Sequence, residues 1–166
     1  MKSQNHFDVI VIGGGASGMM AAGRAGGLGK KVLVIEKNPK LGEKLKISGG
    51  GRCNITNAEE DIHTLLKNYG KAAPFLYSPF SQFSNKDSFT FFENLGLPLV
   101  VQARKRAFPH TEKAIDVFNA LMKYMQQGKV AILAGAKVSR IKHDEGRITG
   151  VVVAGGDTYT AQARLS

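Results

Sequence analysis

Two apolar runs, Phe7-Asp8-Val9-Ile10-Val11-Ile12 and Val32-Leu33-Val34-Ile35, bracket the segment Gly13-Gly14-Gly15-Ala16-Ser17-Gly18 and the small residues that follow it. Runs this short and β-branched read as strands buried on both faces of a parallel sheet. Parallel neighbours need a crossover, and residues 16–28, with Met19 and Met20 among small side chains, suit a helix packed closely on that sheet. Gly23, Gly26 and Gly27 lower its intrinsic propensity, so packing must stabilise it. The result is a βαβ unit of an α/β, Rossmann-like fold.

Gly13, Gly15 and Gly18 fall where a dinucleotide fingerprint needs glycine: at the tight turn, at the close approach of a pyrophosphate, and at the helix-to-strand contact. The helix begins at this loop, so its free N–H groups and positive dipole end face the phosphates. Glu36 ends the second strand, 18 residues after Gly18, where an acid accepts from ribose hydroxyls. A glycine-rich turn could serve packing alone. The flanking strands and Glu36 favour the nucleotide instead. The acid disfavours NADP, whose 2′-phosphate it would repel, and leaves FAD or NAD.

Twenty glycines in 166 residues is about 12%, against a usual level of about 7%. Besides the first loop, they gather at Ser48-Gly49-Gly50-Gly51-Arg52-Cys53-Asn54, inside residues 37–57, a stretch with no helical or strand period. Lys37, Lys40, Lys44, Lys46 and Arg52 face only Glu43 in charge there, so the stretch reads as a basic, glycine-bearing loop. Successive glycines expose backbone N–H groups, which suits a second anion or ring-edge site; a flexible surface loop is the plainer alternative.

Farther on, residues 59–97 read as helical pieces interrupted by Pro74, Pro79 and Pro98. Seven of the thirteen Phe and Tyr residues lie between Phe75 and Phe92, and core packing is their expected use rather than base stacking. Ile115, Phe118, Met122 and Met125 keep helical spacing from a Thr111 cap to Gln127, before Gly128. Residues 130–133, 136–143, 147–154 and 158–161 then read as a β-meander, with hairpin turns at Asp144-Glu145-Gly146 and Gly155-Gly156-Asp157. Leu165-Ser166 looks like the start of another strand, so the chain reads as one FAD/NAD(P)-binding domain over 1–166, truncated in mid-fold.

Cys53 is the sole cysteine, which excludes an internal disulfide and a dithiol relay and favours a packing role. His6, His63, His110 and His143 lack ligand spacing, so no metal site is expected and all four read as surface residues. Arg104-Lys105-Arg106 could meet an anion but more simply forms a solvated face. No pattern marks a general acid or base.

The blocks VIVIGGGASGMMAA, GEKLKISGGGRCNITN and RAFPHTEKAIDV resemble, in order and spacing, the BaiN/RdsA-like flavoproteins, also known as aminoacetone oxidase-family FAD-binding enzymes. The resemblance implies a two-dinucleotide-binding-domain flavoprotein fold, FAD as cofactor with NAD(P)H as an electron donor, and hydride transfer at flavin N5 on a small-molecule substrate. It implies that Lys44, Ser48, Gly49, Gly50, Gly51, Arg52 and Asn54 lie along the pyrophosphate and flavin. It also implies that Glu36 binds the adenosine ribose, Lys37 neighbours the adenine, and Val138 offers its backbone to the adenine edge. The family resembled has longer chains, in which a barrel-like substrate domain and a C-terminal return to the flavin follow the meander.

An FAD-binding fragment without turnover of its own is one alternative to the oxidoreductase; the formal net charge of +10, which biases the surface toward anions without naming one, makes a basic nucleic-acid-binding module another. The phosphate-bearing cofactor absorbs that bias, and no nucleic-acid partner is expected. No window of 18 apolar residues and no apolar leader appear, so a membrane span is not expected and a cytoplasmic location is.

Overall fold

In the computed structural model, which describes residues 5–163, β1 (Val9–Ile12) and β2 (Val32–Glu36) pair in parallel, with Val9 opposite Val32 and Ile12 opposite Ile35. They are joined by α1 (Ala16–Gly27). All five residues of β2 are buried. Burying an aliphatic side chain of this size contributes roughly 1.5–3 kcal/mol, so the four apolar residues of β2 anchor the sheet. The chain divides into two compact units, one made of Met1–Lys44 with Leu121–Ser166 and the other of Leu45–Ala120.

In the first unit, the third strand of the parallel sheet is β6 (Ala131–Ala134), on the far side of β2, giving the order β1-β2-β6. This corrects the meander read from the sequence: its first segment joins the parallel sheet, and only β7 (Val138–Asp144), β8 (Arg147–Val153) and β9 (Thr158–Ala163) form the antiparallel sheet. Both predicted hairpin turns are present. Glu145 and Gly146 have φ of 45° and 75° between paired Asp144 and Arg147, the two left-handed residues of a two-residue hairpin loop. The antiparallel sheet packs Val151 and Val153 against Phe7, Leu33 and Ile35.

The glycines inside α1 have a packing reason. A Cβ on Gly23 would lie 2.2 Å from the Tyr124 ring, and one on Gly26 would lie 2.4 Å from the Gly128 carbonyl oxygen. Close approach outweighs propensity here. The helix carrying Tyr124, α6 (Ala114–Gln127), starts three residues after Thr111. Thr111 is therefore no cap, and its Oγ1 is buried without a partner. The predicted further strand at Leu165-Ser166 lies outside the described residues.

The second unit corrects the featureless reading of residues 37–57. Glu43 begins α2 (Glu43–Gly51), which breaks at Ser48, and β3 (Thr56–Asn57) follows. Leu99–Gln102 (β4) and Arg106–Pro109 (β5) complete an antiparallel sheet in the order β3-β5-β4. Between β3 and β4 lie α3 (Ile62–Lys67), capped by Asp61, α4 (Ala73–Gln82), and α5 (Asn85–Asn94), which begins with a Ser84/Asp87 capping box. Pro79 lies inside α4 rather than ending it. The aromatic cluster is not core: of its seven rings only Phe92 is buried, and Phe75 is 81% exposed. Among the described residues no helix is long and apolar enough to cross a membrane.

Candidate functional site

The glycine loop sits at the carboxyl end of β1, and Gly13 N–H donates to the Ile35 carbonyl at 2.8 Å, tying loop to sheet. Gly13 has φ of 103°, in the region where L side chains are strained. A Cβ on Gly18 would lie 1.9 Å from the Gly13 carbonyl oxygen, so the third fingerprint position accepts only glycine. The opposite holds at Gly15, the N-cap of α1: no atom lies within 4 Å of where its Cβ would stand. No side chain caps this helix, and no acid occupies its first turn. An uncapped helix start without an acid is the arrangement that takes an anion.

Glu36 is 7% exposed, and its carboxylate accepts from Gly14 N–H at 2.6 Å and from Asn38 N–H at 2.8 Å. Burial alone would raise its pKa, but the Asn38 and Gly14 N–H groups, with the charge of Lys37, outweigh burial and hold it below the usual carboxylate range. The predicted ribose acceptor is therefore also the brace of the glycine loop. From the other side Leu41 packs onto Gly14, and Gly42 N–H donates to the Gly14 carbonyl at 2.9 Å. Ala136 N–H donates to the Glu36 carbonyl and Gly135 N–H to the Asn38 carbonyl, both at 2.9 Å, which brings the start of β7 and Val138 toward Glu36 and Lys37. Gly13, Gly14, Gly15, Ala16, Ser17, Gly18, Glu36, Lys37 and Val138 belong to this unit, as does Lys44, which is exposed at the start of α2.

The second cluster has its own architecture. Ser48 leaves the helical conformation, its Oγ donating to the Leu45 carbonyl at 2.7 Å, and Gly49, Gly50 and Gly51 follow with φ of 57°, 67° and 82°. A Cβ on Gly49 would lie 2.7 Å from Asn54 N, whereas Gly50 and Gly51 face open space. Asn54, its amide oriented to donate, reaches the carbonyls of Thr56 at 3.2 Å and Ala107 at 3.3 Å and pins the loop to β3 and β5. Cys53 is buried, which pushes its thiol pKa up against the opposing hydrogen bond of Ser48. The packing role expected for it holds.

Arg52 is partnered although part of its side chain is exposed. Its guanidinium lies 4.4 Å over the ring of buried Phe108, and Nη1 donates to Gln102 Oε1 at 3.1 Å and Glu112 Oε1 at 3.3 Å. Gln102 Nε2 donates in turn to Glu112 Oε1, closing the triangle. Glu112 has φ of 53°, a left-handed backbone that costs a non-glycine residue about 1–2 kcal/mol. Its N–H donates to the Pro109 carbonyl at 2.8 Å, closing the turn that sets this backbone. Spacing alone could not have found Gln102 and Glu112, which stand 50 and 60 residues from Arg52. Only the RAFPHTEK block, holding Phe108 and Glu112 together, hinted at them.

Elsewhere, Lys105 pairs with Glu59 at 2.5 Å, and Arg106 Nε donates to the Ala103 carbonyl, so this basic run is partly anchored. The four histidines are exposed as expected. No group of three or more potential metal ligands occurs among the described residues. A cavity of about 630 Å³ in the second unit, lined by Glu59, Asn85, Phe89 and Lys105 among others, includes none of the predicted site residues.

Residues 7–165 match the model of the HI0933-like protein Rossmann domain. The chain is similar to the 3-dehydro-bile acid delta(4,6)-reductase of Clostridium scindens, 31% identical over 135 residues that cover 80% of this chain and 32% of that protein. It is also similar to the ribosomal RNA dihydrouridine synthase of Escherichia coli, 30% identical over 139 residues, 84% of this chain and 34% of that one. Among solved structures, the open conformation of a flavocytochrome c3 fumarate reductase superposes with a TM-score of 0.73 at 20% identity, over 97% of this chain and 33% of that one. The chain thus spans about a third of the length of these relatives. The match over residues 7–165, carried by the parallel sheet and glycine loop described above, shows that the chain belongs to the HI0933-like family, whose Rossmann domain it carries.

Proposed function

We propose that this chain is the FAD-binding portion of a flavin-dependent oxidoreductase that transfers hydride through flavin N5 on a small-molecule substrate, with NAD(P)H as a candidate electron donor. The observation that carries the reading is the start of α1, uncapped, free of acid and open beyond Gly15. The residues present fit the cofactor: the amides of Gly15 to Gly18, beyond those of Gly13 and Gly14 that bond Ile35 and Glu36, suit its pyrophosphate, and each Glu36 oxygen keeps a lone pair for a ribose hydroxyl beyond the backbone N–H it accepts. Lys37 and the Val138 backbone would border the adenine, and Lys44 lies in the same unit. When bound, FAD supplies the two-electron chemistry, while the protein supplies position and electrostatics. A cytoplasmic setting, with one buried thiol, is part of the same reading.

The deciding experiment is FAD titration of the gently purified protein, followed by flavin absorbance and fluorescence. Stoichiometric uptake supports the reading; a colourless protein that takes up no FAD refutes it. A second reading, in which the substrate is a base within RNA, is favoured by the net charge of +10 and by the name of the Escherichia coli relative. It requires RNA affinity that falls steeply with salt. Salt-insensitive or absent binding leaves the small-molecule reading alone.

A further inference from the structure

The cavity of about 630 Å³ belongs to the unit Leu45–Ala120 alone, and its volume is that of a small-molecule pocket. Among its lining residues Asn85, the first residue of α5, is only 6% exposed. The Asn85 amide nitrogen donates to the Asn57 carbonyl at 2.9 Å and to the Glu59 carbonyl. Those two bonds fix the orientation of the amide, while its Oδ1 accepts no hydrogen bond among the described residues. A buried amide clamped by two backbone partners thus offers the cavity one directed acceptor. The neighbouring wall is also held: Ala58 N–H donates to the Lys105 carbonyl at 2.7 Å, and Lys105 Nζ pairs with Glu59 at 2.5 Å. That pair leaves two exposed lining charges of opposite sign, Lys86 and Glu60, neither of them in an ion pair among the described residues. Phe89, which is half-buried, and Val101, which is 54% exposed, supply the apolar surface.

Two lysines and two glutamates make this lining neutral, which disfavours a polyanion at this place. A molecule with one charge of each sign, an N–H donor and an apolar body satisfies all of the groups together. We propose that the cavity binds a free aromatic amino acid as its zwitterion. Its ammonium donates to Asn85 Oδ1 beside the Glu60 carboxylate, its carboxylate meets Lys86, and its ring lies against Phe89 and Val101. The site stands independently of the FAD reading.

The test titrates the protein with L-phenylalanine, L-phenylalaninamide and 3-phenylpropionate, followed by calorimetry and amide chemical shifts. L-Phenylalanine should give saturable shifts at the Asn85 side-chain amide and at the backbone amides of Phe89 and Val101. Phenylalaninamide lacks the carboxylate and phenylpropionate the ammonium, so each should bind at least about tenfold more weakly, the effect of one charge-assisted hydrogen bond. Lys86→Gln and Glu60→Gln alter exposed side chains, and thermal stability should hold in both. Lys86→Gln should weaken L-phenylalanine by about tenfold and leave phenylalaninamide unaffected, whereas Glu60→Gln should weaken L-phenylalanine and leave phenylpropionate unaffected. Deleting the ammonium from the ligand should cost more than Glu60→Gln, because Asn85 Oδ1 is then left unmet as well. The proposal is overturned if no saturable shift appears at these residues up to the solubility limit of L-phenylalanine, if phenylpropionate binds as tightly as the amino acid, or if either variant weakens all three ligands alike. None of these outcomes bears on FAD uptake, which is measured separately.

Discussion

The Glu36 carboxylate accepts the N–H of Gly14 at 2.6 Å, so the acid that ends the second strand holds the loop that begins after the first. In the proposed FAD site, one side chain would thereby couple the ribose side to the phosphate side. Glu36→Gln keeps one acceptor and loses the charge, and should lower stability at neutral pH by about 1.5 kcal/mol, the lower end for a hydrogen bond to a charged group. The folded-state pKa of Glu36 lies below its ordinary value, so its contribution is fully present above the unfolded value of about 4.3 and is lost as pH falls through the folded value. Urea midpoints of the two proteins should differ at pH 7 and converge in acid. Equal midpoints at pH 7 would show that the brace contributes nothing.

Gly15 and Gly18 should respond in opposite ways to alanine. At Gly18 the new methyl meets a backbone oxygen at 1.9 Å, and the fold should lose about 1–3 kcal/mol along with the nucleotide. At Gly15 it enters open space, so Gly15→Ala should fold normally and still bind FAD poorly. Thermal denaturation beside FAD titration separates them. Tight binding by Gly15→Ala would place the pyrophosphate somewhere else.

The buried thiol of Cys53, with its raised pKa, should be nearly inert to aromatic disulfide reagents until the protein unfolds. Comparing the rate of labelling in buffer and in denaturant is sufficient. Fast labelling of the native protein would contradict the packing role.

Phe75 is mostly exposed, so Phe75→Ser should change stability by no more than about 0.5 kcal/mol despite removing a ring. A loss of several kcal/mol on chemical denaturation would return this aromatic segment to the core.

The βαβ unit was legible because its signals are local. Alternating strand and helix periods, three glycines at fixed spacing and an acid at the strand end need no distant partner to be recognised. The misread segments fail for one shared reason. Residues 130–133 read as part of the meander because an apolar four-residue stretch carries no mark of its partner, whereas Leu133 pairs with the distant Ile35. The Phe75–Phe92 aromatics read as core because composition reports hydrophobicity but not which face a helix presents. Thr111 has the right chemistry for a cap but stands three residues too early.

The sequence by itself determined a dinucleotide-binding α/β fold, its glycine loop and Glu36, since tight turns, close backbone approach and burial on two faces each restrict residue type at a single position. Tertiary structure alone decided that β6 extends the parallel sheet, that Glu36 braces Gly14, and that Arg52 rests on Phe108 under the hold of Gln102 and Glu112. These are pairings between residues distant in the chain. Their free energy comes from contacts that exist only once the backbone has closed the loops between them, and no local pattern of residue types encodes that closure.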